Sequence, residues 1–186
     1  MKAFAYLAAT VLVAIAIGVG VSASTWNQKL TKFNDQFLRF DYPASWSARE
    51  PDQGVVTSIN ELVFLSNERM HAPCVTRGTA VTCSYLLKRL SAGGILVDWE
   101  ENGLPGWTLD EAAGYPISVD GHRGKESVLY WQGSCVSGTE QDIAVVIVRS
   151  AADNYYEMNA CLRGPDLADE QSEIQAMLAS AKVLLP

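Results

Sequence analysis

The chain has 186 residues, enough for one ordinary domain with a sizeable core. A formal net charge of -7 with 48% apolar residues describes a globular, mildly acidic protein. That balance argues against a nucleic-acid partner, because phosphate binding needs a basic footprint, and the acidity serves solubility.

The stretch Ala3 to Val21 carries no charge, and Lys2 is the basic residue before it. Small residues in Val21-Ser22-Ala23 suit a signal peptidase, so residues 1–23 read as a signal peptide cleaved before Ser24. The alternative is an uncleaved anchor, associated with the membrane through residues 3–21. The run of 19 residues exceeds a usual signal core and approaches the roughly 20 that span a bilayer. Both readings place the rest of the chain outside the cytoplasm. Four cysteines, Cys74, Cys83, Cys135 and Cys161, all lie in the exported part, where disulfides are permitted.

Residues 24–32 are polar and read as a linker, which leaves 33–186 as a single globular domain. Phe37 to Tyr42 alternates, so Leu38, Phe40 and Tyr42 share one strand face while Arg39 and Asp41 share the other. Pro43 removes an amide donor and closes the strand, and Trp46 follows just past the turn. Ser47 to Gly54 reads as a loop. Val55 to Ser66 reads as a strand with a bulge, because its apolar parity changes between Ile59 and Leu62.

In Cys74 to Cys83, CVTRGTAVTC, Gly78-Thr79 suits a two-residue hairpin turn. Arg77 then faces Ala80, and Cys74 lands opposite Cys83 within disulfide reach. Ile95 to Glu100 reads as a strand. Thr108 and Glu111 form a capping box for a short helical turn. Asp120-Gly121 is a type I′ hairpin signal between a strand from Ile117 to Val119 and another from His122 to Trp131. Gln141 to Ser150 is apolar enough for a central strand, and Tyr155 to Leu162 returns antiparallel to it. That return brings Cys161 back to the loop holding Cys135, so the pairs are Cys74–Cys83 and Cys135–Cys161. The chain closes with a helix capped by Asp166, burying Leu167, Ile174, Met177, Leu178 and Ala181 on one face.

Candidate chemistry is sparse, and no catalytic, metal or cofactor site is assigned. His122 reads as an exposed turn residue. His71 with Cys74 and Cys83 has zinc-ligand types, but a hairpin disulfide in an oxidising compartment is the better reading. Ser134 lies in Gly133-Ser134-Cys135, which lacks the Gly-x-Ser-x-Gly elbow of a hydrolase. Asp98 and Glu100 share a strand face, with Trp99 on the other, so Trp99 is expected in the core and the acids in water. Trp99, Trp107 and Trp131 read as core and edge packing before a ligand groove.

Three quoted features carry a family resemblance. They are Phe-Asp-Tyr-Pro-Ala-Ser-Trp from Phe40 to Trp46, the Val119-Asp120-Gly121 turn within a β-meander, and a final helix ending Ala179-Ser180-Ala181-Lys182-Val183. In these the chain resembles the PsbP-like family, the fold of the photosystem II extrinsic subunit, a Ran-binding import factor and many exported bacterial proteins. The resemblance implies an α+β domain in which helices cover both faces of an antiparallel sheet. It implies no catalytic residues and no cofactor, and a role in docking onto other proteins. The resulting expectation is a non-catalytic exported or membrane-tethered domain with a protein partner. A small-ligand or glycan-binding module using exposed aromatics and the Asp98–Glu101 edge is the alternative, followed by an exported hydrolase.

Overall fold

The computed structural model describes residues 29–36, 38–50, 60–71, 74–77, 80–83, 86–130, 135–149 and 154–184. Within them the chain is α+β and dominated by antiparallel sheet. The strands are β1 (Leu30–Asn34), β2 (Leu38–Pro43), β3 (Ser47–Arg49), β4 (Asn60–Ser66), β5 (Cys74–Arg77), β6 (Ala80–Cys83), β7 (Gly94–Gly103), β8 (Tyr115–Val119), β9 (His122–Tyr130), β10 (Gln141–Val148), β11 (Asn154–Arg163) and β12 (Lys182–Val183). A 3-10 turn spans Leu109–Glu111, and helix α1 spans Leu167–Ser180. The leader and its cleavage site, residues 1–28, lie outside the described residues. Among the described residues no helix is long and apolar enough to cross a membrane.

Seven strands form the main sheet in the order β3-β4-β7-β11-β10-β9-β8. Its centre is the expected meander. Gln141 pairs with Leu162 and Val148 with Tyr155 along β10 and β11. β10 is apolar because it is central: Ile143, Val145 and Ile147 are buried on one face, while Ala144 and Val146 are half-buried on the other. The Asp120-Gly121 turn has φ of 51° and 81°, as a type I′ hairpin requires. The bulge expected in β4 is present, where the pairing with β7 shifts between Glu61 and Val63. Residues 55–59, the start of that expected strand, lie outside the described residues.

Two expectations are corrected. The Phe37 to Tyr42 strand, β2, is expected to join the same sheet as the strands that follow, and it does not. It sits in a separate three-stranded sheet, ordered β1-β2-β12, whose first strand begins at Leu30 inside the stretch read as linker. The physical cause is β12. After α1 ends at Ser180, Lys182 and Val183 turn back onto Arg39 and Leu38. Ser180 Oγ extends that ladder by accepting from the Asp41 N–H at 2.8 Å. Secondly, the loop after Trp46 contains β3, which pairs Ser47 to Ser66 and Arg49 to Phe64. Among the described residues there is one α-helix, α1.

α1 and the three-stranded sheet together cover one face of the main sheet. The join is aromatic. Phe33 stacks on Phe40 at 5.0 Å between centroids, and Phe40 stacks on the fully buried Trp99 of β7 at 5.2 Å. Around them Leu38, Val97, Val145, Met158, Ile174, Met177 and Val183 complete one core. The expected apolar face of α1 is buried, with Leu167 at its margin. Glu170 joins that face unexpectedly, 6% exposed, with both carboxyl oxygens unpartnered among the described residues. Burial, then the nearby Asp166, Glu173 and Glu140, pushes its carboxyl up to about 7. Asp166 occupies the N-cap position, but its side chain makes no capping hydrogen bond.

On the opposite face a smaller core of Met70, Leu86, Leu87, Leu90, Leu96 and Cys161 closes one end of the sheet. The Cys135–Cys161 disulfide pins it, with Cα atoms 5.7 Å apart. In the β5–β6 hairpin the backbone register sets Cys74 opposite Cys83. The side chains of that pair, and the turn at 78–79, lie outside the described residues.

Two stability measurements follow from this architecture. Phe40→Ala removes the ring that joins the two sheets and should cost about 3–5 kcal/mol, read as a lowered urea midpoint. Replacing Cys135 and Cys161 by Ala releases a loop of 26 residues and should cost about 2–4 kcal/mol. An unchanged midpoint in that double variant would show that the smaller core needs no covalent pin.

Candidate functional site

Period-2 alternation sets up the site. Burying Trp99 in the main core forces Asp98 and Glu100 onto the opposite face of β7. The register then aligns acids from three strands. Glu100 is opposite Glu61 of β4 on one side and Glu157 of β11 on the other. Asp98, one step along, is opposite Phe64 and Asn159. Like charges directly opposite each other in a sheet destabilise it, so this row costs stability.

The sequence places these acids in water, and the structure corrects that placement. Asp98 and Glu100 are half-buried, and Asp98 Oδ1 is a buried atom with no partner among the described residues. Asn102, 8% exposed, donates from Nδ2 to Glu100 Oε2 and Glu157 Oε2, both at 3.3 Å. Asn159 Nδ2 reaches Glu157 Oε1 at 3.4 Å. Two weak amide donors do not neutralise three carboxylates in a row. Burial is therefore the main cause that pushes the Asp98 carboxyl up to about 9, followed by Glu100, Glu61 and Glu157. Burial and then Glu100 also raise Glu61 and Glu157. A further acid, Asp142 of β10, is 6% exposed on the same face, and burial raises it too.

The acidic edge foreseen at Asp98–Glu101 is split by the pleat. Glu101 follows Trp99 to the first face, where it pairs with Arg149, whose guanidinium lies 5.9 Å from the Tyr156 ring centre. Glu157, which sequence reading missed, takes its place. Its signal was present in Tyr155-Tyr156-Glu157-Met158-Asn159-Ala160, where polar and apolar residues alternate on a central strand.

Beside Glu157 a cleft of about 250 Å³ opens between the sheet and the segment that follows β7. Its floor is Ala144 and Val146 of β10 with Ser127 of β9. Its wall is Trp107, stacked on Tyr155 at 4.1 Å between centroids. Ala112 and Ala113 form the roof. The roof is held in three ways. Glu111 accepts from the Thr108 N–H at 3.3 Å, as the capping box requires. Lys125 Nζ donates to the carbonyls of Ala112, at 2.7 Å, and Asp110, at 3.1 Å. Gly114, with φ of 108°, lets the backbone press against Glu126, where an added Cβ would sit 2.1 Å from the Glu126 oxygen.

The remaining candidates do not meet. Trp99 is in the core, Trp107 lines the cleft, and Trp131 lies outside the described residues, as does Ser134. His71 is exposed ahead of β5. His122 is not the free turn residue expected: its Nδ1 lies 3.0 Å from the Val148 carbonyl oxygen, in hydrogen-bond contact with β10. Neither histidine lines the cleft. Among the described residues no group of three or more His, Cys, Asp or Glu side chains is arranged to hold a metal ion.

No known protein family matches the chain, and no curated protein matches it. One solved structure, a protein of Bacteroides thetaiotaomicron VPI-5482, is similar with a TM-score of 0.42 and 10% identity. The similarity covers 82% of this chain and 47% of that protein, so this chain spans about half its length. At that level it carries no argument about fold or function.

The raised Asp98 carboxyl fixes a sign. A carboxyl that titrates higher when folded stabilises the protein fully below its unfolded value near 4, and loses that contribution as pH rises through about 9. Asp98→Asn should therefore raise Tm at pH 8 and leave it nearly unchanged at pH 4. Each 1 kcal/mol regained is worth about 2–4 °C. A loss of Tm at pH 8 that is absent at pH 4 would show that the native state relies on the Asp98 charge.

Proposed function

We propose that this chain is a non-catalytic, extracytoplasmic binding module, and that the cleft under Trp107 is its ligand seat. One observation carries the reading: a half-buried aromatic pair, Trp107 on Tyr155, walls a cleft on a sheet face that the described residues leave open between the smaller core and the outer strands. An open aromatic wall over a small apolar floor, with one carboxylate at its side, is the make-up of a small-molecule seat. The disulfide is consistent with an oxidising compartment, which supports export by the leader at residues 1–23, cleaved or retained as an anchor.

A second reading keeps the PsbP-like resemblance and its protein-docking role. It is favoured by the outer edge of the main sheet. Tyr115 of β8 is 81% exposed, and Val128, Leu129 and Tyr130 of β9 are exposed beyond the point where β8 pairs with it. A contiguous apolar edge of this kind suits a protein partner.

The two readings separate in one experiment. In a protein with labelled methyl groups, a charge-diverse set of small molecules should shift the Ala112, Ala113 and Ala144 signals together. A blank screen, combined with recurrent cross-linking of one envelope protein through a photoreactive residue at position 115, would replace the first reading by the second.

A further inference from the structure

The cleft has a preferred sign of ligand, and this inference rests on reading it as the seat. The face it opens on is acidic well beyond its one lining carboxylate. Glu157 is at the wall, Glu100 stands opposite it, and Glu61 stands opposite Glu100. Asp142, 6% exposed, has Oδ1 without a partner among the described residues, and its charge reaches Glu157. Four cations share the face by register: Lys125 and Arg123 of β9, Arg49 of β3 and Arg163 of β11. Lys125 is turned to the carbonyls of Asp110 and Ala112, and Arg123 is exposed near the β8–β9 turn. Arg49 donates to the Met70 carbonyl at 3.4 Å and Arg163 pairs with Glu140, while Lys125 and Arg123 form no ion pair among the described residues. Among the described residues no cation is ion-paired to Glu61, Glu100, Glu157 or Asp142, and this row lies beside an aromatic pair whose ring faces attract cations.

A metal ion is a poor answer, because the carboxylates lie in a row along the sheet and, among the described residues, do not converge as a ligand set. An anion would meet Glu157 at the wall. A neutral sugar would leave the carboxylate row uncompensated. We propose that the cleft takes a small organic ammonium ion with a flat apolar body. The body lies over Ala144 and Val146 against Trp107, and the ammonium donates to the Glu157 carboxylate. Glu100 and Asp142 add attraction from behind Glu157 without touching the ligand.

Three near-isosteric probes test the sign: 2-phenylethylamine, 2-phenylethanol and phenylacetate, titrated into the full chain by calorimetry at pH 7. The ammonium probe should bind about tenfold or more tighter than the alcohol, with no heat from the acid. Its affinity should fall with added salt. Glu157→Gln should reduce ammonium binding about tenfold and leave alcohol binding unchanged, a split that a folding defect would not give. Trp107→Ala should weaken the amine and the alcohol alike. If the alcohol or the acid binds as well as the amine, the ammonium assignment is overturned while the cleft remains a seat. If none binds but other molecules shift the cleft methyl signals, the ammonium class is wrong and the seat stands. If nothing shifts those signals, both readings fall together.

Discussion

Trp99 decides what both faces of this protein can be. It sits at the middle of β7, fully buried, stacked on Phe40 of the second sheet. A strand that commits one side chain to a core commits its neighbours to the opposite side. With Trp99 inside, Asp98 and Glu100 have one place to go, and pairing on either side of β7 brings Glu61 and Glu157 to meet them. A one-residue slip would put the acids into the core and the indole onto the acidic face, so the register is strongly specified. The same choice that joins the two sheets therefore builds the acidic row.

The layers divide the work. The covered face is closed by α1 and by a three-stranded sheet whose last strand comes from the chain's end. Asp120, at the β8–β9 turn, ties these parts together by accepting from Lys182 Nζ at 2.8 Å and the Val183 N–H at 3.1 Å. Those bonds hold its carboxyl below the usual range, the Lys182 hydrogen bond being the largest cause. The other face is closed at one end, where Cys135–Cys161 and Leu96 gather the smaller core. Only its far end is left for the cleft, and there the roof is fastened by Lys125 and by the close packing of Gly114.

Much of this was legible in the residues, and the failures have a common cause. The alternation in Leu38-Arg39-Phe40-Asp41-Tyr42, the Asp120-Gly121 turn, the β10–β11 return and the meeting of Cys135 with Cys161 are consequences of local pattern and short connections. What escaped depends on distant partners. β12 is two residues long and is a strand because β2 lies beside it. Nothing local in Lys182-Val183 announces that. The acidic row escaped for the same reason. Asp98 and Glu100 are visible as a pair within one strand, but Glu61 and Glu157 join them through two separate ladders. The burial of Glu170 has no signal in the sequence beyond its place on the apolar side of α1.

The row is a place where the sheet departs from its own stability optimum. Opposed like charges and unpartnered buried oxygens are each unfavourable, and apolar or amide residues at these positions would pair without repulsion. Rigid neighbours sustain the arrangement: Trp99 and Met158 lock the strands from beneath, and the disulfide braces β11 toward its far end. Repulsion stored in a braced frame can be relieved by a counter-charge from outside without moving the backbone. Such a site would be pre-organised, since the ligand would have no strand to order and no side chain to pull out of the core. The cleft beside Glu157 is where that counter-charge has both a carboxylate to meet and an aromatic surface to lie against.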